Sequence, residues 1–169
     1  MEKPRLIEFD SKCLAVLQTS LIAVQPYEGC ALLIGEKKLS RQFQENTIWH
    51  IRFIWPCCNV WEPDGIELLE TSIAKEEVKK TYRSRRTRFF IDPREQLLAQ
   101  KWARKQKWEI LGSAHSHPEG QAVPSKLDHS WINSPSLMVI VDGTGNIRSW
   151  WIDNSQNLRA LEIAYSIDI

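Results

Sequence analysis

The chain has 169 residues, 43% of them hydrophobic and 25% charged. That length and balance fit one globular domain and exclude wholesale disorder, a collagen-like repeat and a mainly coiled-coil rod. Its 22 lysines and arginines nearly cancel 21 acidic residues, so no whole-molecule field points to nucleic acid or a membrane surface, and no apolar run nears the ~18 residues of a membrane span.

The first ten residues, Met1 to Asp10, alternate charged and apolar side chains and lack the unbroken core of a signal peptide, so the cytoplasm is the expected compartment. Leu6 to Phe9 reads as a short strand. Asp10 or Ser11 then offers an N-cap, and Leu14, Leu17, Leu21 and Val24 recur at three- and four-residue spacing, the stripe of an amphipathic helix that Pro26 stops. Cys30 to Gly35 reads as a buried strand, and Thr47 to Cys58, rich in Ile, Trp and Phe, as a long one. Phe89 to Ile91 is a short extended segment. Asp92-Pro-Arg-Glu95 combines an N-cap, proline at the first helical position and an acid in the first turn, and on that helix Leu98 and Trp102 lie one turn apart. Trp108 to His115 returns as a strand and Ser125 to Ile132 as a helix that Ser134-Pro135 ends. Leu137 to Val141 and Ile147 to Ile152 flank Asp142-Gly-Thr-Gly-Asn146, a hairpin loop. Residues 158–169 fit helix and strand alike. Strands interleaved with helices predict a single α/β domain over residues 1–169, a mixed β-sheet flanked by helices.

Two features stand outside that layout. The cysteines, Cys13, Cys30, Cys57 and Cys58, form no Cys-x-x-Cys, so they read as buried reduced thiols and give no zinc knuckle or redox motif. The segment from Glu62 to Arg88 turns from acidic (Glu62, Asp64, Glu67, Glu70) to basic (Lys75, Lys79, Lys80, Arg83, Arg85, Arg86, Arg88). It reads as a solvated helix or as an insertion, at about 62–86, that docks a partner through Lys79–Arg86. Its basic half has few aromatics, so nucleic acid is not an expected partner.

The chemistry concentrates in Gly112-Ser-Ala-His115-Ser-His117-Pro-Glu-Gly-Gln-Ala-Val-Pro-Ser125-Lys-Leu-Asp128, which with His129 holds three of the four histidines. Two residues apart at a strand end, His115 and His117 point to one face, and Pro118 breaks the ladder beside them. Ser125 and Asp128, three apart, share a helix face. Two imidazoles and a carboxylate form the three-ligand set of a catalytic zinc with its fourth position open to water. Ser125-x-x-Asp128 equally fits a helix cap, in which the pair satisfies the terminus. His50 and His129 read as structural or surface residues. His117-Pro-Glu119 has the His-x-Glu form of zinc deaminases without their downstream Pro-Cys-x-x-Cys.

His-x-His, seven residues, then Ser-x-x-Asp resembles the signature of the JAMM (MPN-plus) zinc metalloproteases, and His115, His117, Ser125 and Asp128 match it without a gap. Tyr27-Glu28-Gly-Cys-Ala-Leu-Leu-Ile-Gly35 is similar to the family's upstream segment, with Ala31 where the family often has glycine. Ile91-Asp-Pro-Arg-Glu-Gln-Leu97 and the strand from Val139 to Asp142 also look like prokaryotic members. The resemblance implies the JAMM/MPN core, with a cytidine-deaminase-like layout, and one zinc per chain held by His115, His117 and Asp128. It implies Glu28 as general base and Ser125 as oxyanion donor. The implied reaction is hydrolysis of a peptide or isopeptide bond after the C-terminal glycine of a ubiquitin-like or sulfur-carrier protein. The alternative is a non-catalytic MPN-type scaffold or protein-binding module.

Overall fold

The computed structural model describes residues 3–39, 47–62, 84–130, 134–155 and 157–166. Most of the charged insertion (63–83), and with it most of the Lys79–Arg86 docking segment, lies outside the described residues. In chain order the elements are β1 (Leu6–Asp10), α1 (Ser11–Ile22), β2 (Cys30–Leu39), β3 (Thr47–Cys57), α2 (Pro93–Lys105), β4 (Glu109–His117), α3 (Lys126–Ser130), β5 (Ser136–Asp142), β6 (Ile147–Ile152) and β7 (Leu158–Ser166).

The expected mixed sheet is present, and it closes on itself in the order β1-β3-β2-β4-β5-β6-β7. β4 and β5 run parallel, as do β1 with β3 and β1 with β7, while the other neighbours are antiparallel. Closure depends on the C-terminal segment whose state the sequence leaves open. It is a strand because Leu161 and Ile163, two apart, pack on the core, while its backbone pairs with β6 on one side and β1 on the other.

The curled sheet wraps its inner face around α1. Cys13, Leu17 and Leu21 of the helix meet Phe9, Ala31, Leu33, Trp49, Ala114 and Val139 in the main core. The helix ends at Ile22, and Val24, expected on its stripe, is 44% exposed. Asp10 occupies the N-cap position without making a side-chain cap. Its carboxylate instead accepts from Arg52 at 2.8 Å, because a guanidinium across the sheet competes for the same oxygen. On the outer face, Ala99 and Ala103 of α2 pack on Cys30, Leu32 and Ile34 of β2. The Asp92 carboxylate caps α2 by accepting from the Arg94 N–H at 2.8 Å. The Phe89–Ile91 segment forms one bridge, Ile91 to Asn59. The helix expected over Ser125 to Ile132 is five residues long, Lys126–Ser130, and 131–133 lie outside the described residues.

Candidate metal centre

β4 places the two histidines. Its Ala114 turns inward to the core, and Ser116, also turned in, anchors the neighbouring turn. His115 and His117 turn outward at the strand's end, as the two-residue period requires. The seven-residue spacer returns the chain so that α3 brings Asp128 to the same point. Ligand atoms of His115, His117 and Asp128 all lie within 4.8 Å of one another. The two Nε2 atoms are 2.9 Å apart, and Asp128 approaches His115 Nε2 at 3.4 Å and His117 Nε2 at 3.5 Å.

The donor set suits a cation. His117 Nδ1 is 2.8 Å from the Gln121 carbonyl, which can only accept, so Nδ1 carries a proton and Nε2 is the atom left to bind a metal. His115 is completely buried, with the Phe89 ring stacked on it at 4.5 Å and 23°. Its Nδ1 has no hydrogen-bond partner among the described residues. Burial lowers the His115 pKa against the pull of Asp128. Burial also opposes charge on His117, but Asp128, the Gln121 carbonyl and Glu28 outweigh it and raise its pKa. For Asp128, burial is outweighed by hydrogen bonds from both histidines and from Ser125, which hold the carboxyl well below its usual range. The imidazole Nε2 atoms hydrogen-bond Asp128, and a cation bound at that point would displace those protons; two imidazoles and a carboxylate are a donor set that zinc takes.

Ser125 and Asp128 do form a capping box. The Ser125 N–H donates to Asp128 Oδ2 at 2.6 Å, and Ser125 Oγ accepts from the Asp128 N–H at 3.2 Å. The cap uses the hydroxyl oxygen as acceptor, and the Ser125 side chain also bonds the Asp128 carboxylate, so its proton reaches another acceptor only by leaving that carboxylate.

Glu28 sits at the entry of β2, 5% exposed. Burial pushes its carboxyl up to about 8, with His117 pulling down and Asp128 pushing up; the register that sets Cys30 opposite His115 and bonds Gly29 to Ser116 continues to Glu28 at the level of His117. Gly29 follows because the turn runs against the end of α1. A Cβ there would stand 2.8 Å from Leu21 Cα. Ser116, between the two histidines but facing inward, accepts from the Gly29 N–H at 2.8 Å and donates to the Leu21 carbonyl at 3.3 Å. A cavity of about 410 Å³ opens from Asp128, lined by Leu32, Arg88, Phe89, Ser113, Leu127 and Met138, a size that suits part of a bound chain. The sequence reading gives Phe89, Gln121 and Ser116 no role at the site. Gln121 acts through its backbone, Ser116 through the inner face and Phe89 across 26 residues of chain, and none of these leaves a local pattern.

An α/β sheet closed around one helix, carrying a two-histidine, one-carboxylate cage at the end of a parallel strand pair, defines the class. The model of the prokaryotic homologs of the JAB domain matches residues 11–153, and the chain belongs to that family. No curated protein matches the sequence. Among solved structures the chain is similar to a protein from Desulfitobacterium hafniense, at 22% identity and TM-score 0.70, covering 96% of this chain and 94% of that one. It is also similar to a protein from Salinibacter ruber, at 18% identity and TM-score 0.61, covering 95% and 92%. At these identities the likeness is one of fold.

Proposed function

We propose that the chain is a zinc-dependent metallopeptidase that hydrolyses a peptide or isopeptide bond. The observation that carries this reading is the convergence of His115, His117 and Asp128 within 4.8 Å beside a buried glutamate. Zinc held by those three residues would polarise a scissile carbonyl and make water nucleophilic near neutral pH. Glu28 takes the water's proton and passes it to the leaving amine. A carboxyl already raised to about 8 suits a group that must both accept and release a proton, and a cation nearby pulls it back towards ionisation. Ser125 donates its hydroxyl to the developing oxyanion. Gln121 holds His117 in the ligating tautomer, and Phe89 shields His115 from water.

The family resemblance of the motif supports a substrate ending in glycine, the tail of a ubiquitin-like or sulfur-carrier protein. In this reading Lys79–Arg86 docks an acidic face of that protein or of a partner. No helix among the described residues is long and apolar enough to cross a membrane. The four thiols are free, in keeping with action in the cytoplasm, but only Cys13 and Cys30 are buried as expected; Cys57 is partly buried and Cys58, just past the end of β3, is exposed. The capping box at Ser125 favours one second reading, a scaffold in which Ser125 and Asp128 only terminate α3.

The test is zinc analysis paired with cleavage of a carrier protein fused through its terminal glycine. Wild type should hold one zinc and release the carrier. Asp128→Ala should lose the metal, and Glu28→Gln should keep it while cleavage falls ~100-fold or more. Full zinc with no cleavage of any peptide or carrier conjugate would leave the scaffold standing.

A further inference from the structure

Asn59, just past the end of β3, makes four hydrogen bonds with one side-chain amide. Its Nδ2 donates to the Glu28 carbonyl and to the Arg88 carbonyl, both at 2.9 Å. Its Oδ1 accepts from the Trp61 N–H at 3.1 Å and from the Phe90 N–H at 3.2 Å. Two hydrogens and two lone pairs are all an asparagine side chain has, and each is used. Two carbonyls can only accept and two N–H groups can only donate, so the amide has one possible orientation. An aspartate would lose both donors, and a glutamine would be a methylene too long.

These bonds join three pieces of chain. Around them, Val60 N–H donates to Phe90 O at 3.0 Å and Asn59 bridges to Ile91, so the segments flanking the insertion run side by side. Glu28 lies between this clamp and β4. Its own N–H donates to the Arg85 carbonyl at 2.8 Å, and the next residue, Gly29, is tied to Ser116 through both its N–H and its carbonyl. On the β4 side Glu28 is thus referenced to the strand that carries both histidines, and on the other side to Asn59. The same amide fixes residues 88–90, from which Phe89 reaches over His115.

We propose that Asn59 is a positioning residue that sets the Glu28 carboxylate against the metal cage; this rests on the reading of Glu28 as the base. Asn59 carries no ligand atom of the cage and does not line the cavity. It acts by holding the backbone on both sides of the insertion to the residue that does the chemistry. A base misplaced by about an ångström can cost ~100-fold in rate without loosening substrate.

The test compares wild type with Asn59→Asp, which keeps the shape and both acceptor bonds but removes both donors. With zinc-loaded protein and a glycine-ended carrier fusion, kcat should fall at least ~10-fold, KM should hardly move, and zinc should stay at one per chain. Amide hydrogen exchange at Glu28 should quicken while exchange at Ile140, in β5, stays as it was. A merely structural asparagine would lower the melting temperature and leave kcat per zinc-loaded molecule unchanged, which overturns the proposal. Loss of zinc in step with kcat also overturns it, since the effect would then run through the ligands. Should Asn59→Asp not fold, Asn59→Ser carries the same measurements. If wild type itself cleaves nothing, the functional reading has failed, and the placement of Glu28 by Asn59 is still decided by exchange at the Glu28 amide. Unchanged exchange there sinks it.

Discussion

β2 and β4 bury residues on both faces, and the two faces are built from different chemistry. Inward, Ala31, Leu33 and Ala114 meet Leu17 and Leu21 of α1, and none is more than 1% exposed. Outward, the alternate residues of the same strands are Cys30, Leu32, Ser113, His115 and His117, lying under α2 and beside α3. The inner face is a close-packed frame in which position is set by apolar contact. The outer face carries a fully buried imidazole whose second nitrogen has no partner among the described residues, an arrangement that an apolar core would not keep for stability alone. Changes inside should therefore cost folding and spare the metal, and changes outside should do the reverse.

The largest expected loss tests the inner half. Trp49 is fully buried and meets Trp151 edge-to-face at 5.6 Å. Trp49→Ala should destabilise by ~3–5 kcal/mol in urea titration, with zinc per folded molecule unchanged. A loss of zinc from the folded fraction would break the division between the faces.

Glu28 sharpens the outer half. Its carboxyl rises from an ordinary 4.5 to about 8 in the folded, metal-free protein. Below pH ~4.5 both folded and unfolded states hold the proton and nothing is lost. Between there and about 8 the unfolded chain ionises first, so stability falls as pH rises through that window. Glutamine cannot ionise. Chelator-treated Glu28→Gln should therefore melt above chelator-treated wild type at pH 8, by a few kcal/mol at most, and the two should converge towards pH 4.5. Zinc should shrink the gap, because a cation favours the ionised carboxylate. Parallel melting curves across the whole range would mean that Glu28 is solvated.

Ser125 comes next because it caps α3 and, in the proposed mechanism, also donates to the oxyanion. Ser125→Ala should lower kcat by ~100-fold, the worth of one oxyanion donor. It should also cost ~1 kcal/mol of stability through the lost cap, with zinc retained. A melting shift with unchanged kcat would assign Ser125 to the cap alone.

How much of this was legible follows the same division. Local patterns gave β2, β3, the start of α2 and the β5–β6 hairpin, since alternation, capping and turn chemistry are written in neighbouring residues. The pairing of His115 with His117 was legible from strand period, and that of Ser125 with Asp128 from helical spacing. The convergence of the two pairs needed the parallel packing of β4 on β5, which no short window contains. Glu28 stood out only through family resemblance, because burial at the mouth of β2 is a product of Ser116, Gly29 and the segment around Arg85. The state of residues 158–166 was ambiguous because its alanines suit helix and strand alike, and pairing with β1, some 150 positions away in sequence, decides it.

The smallest effect lies on α2, where the outer layer is structural. The sequence pattern pairs Leu98 with Trp102, but Leu98 is 61% exposed, while Ala99 and Ala103 are fully buried against β2. Trp102 lies along the edge, its ring 4.5 Å from that of Phe53 and 5.7 Å from that of Trp55. Small residues at the contact let the helix lie close to the sheet, so the critical dimension there is the absence of bulk. Ala99→Leu should lift the helix from Leu32 and cost ~1–3 kcal/mol. Because Leu32 and Gln96 both line the cavity beside Asp128, the same lift should raise KM for a protein substrate. Leu98→Gln should change stability by less than ~0.5 kcal/mol and leave zinc and kinetics as they were. Urea titration of the two variants side by side decides the matter. A cost for Leu98→Gln matching that of Ala99→Leu would show that the leucine is covered in solution, and that the outer layer extends beyond the contact made by the alanines.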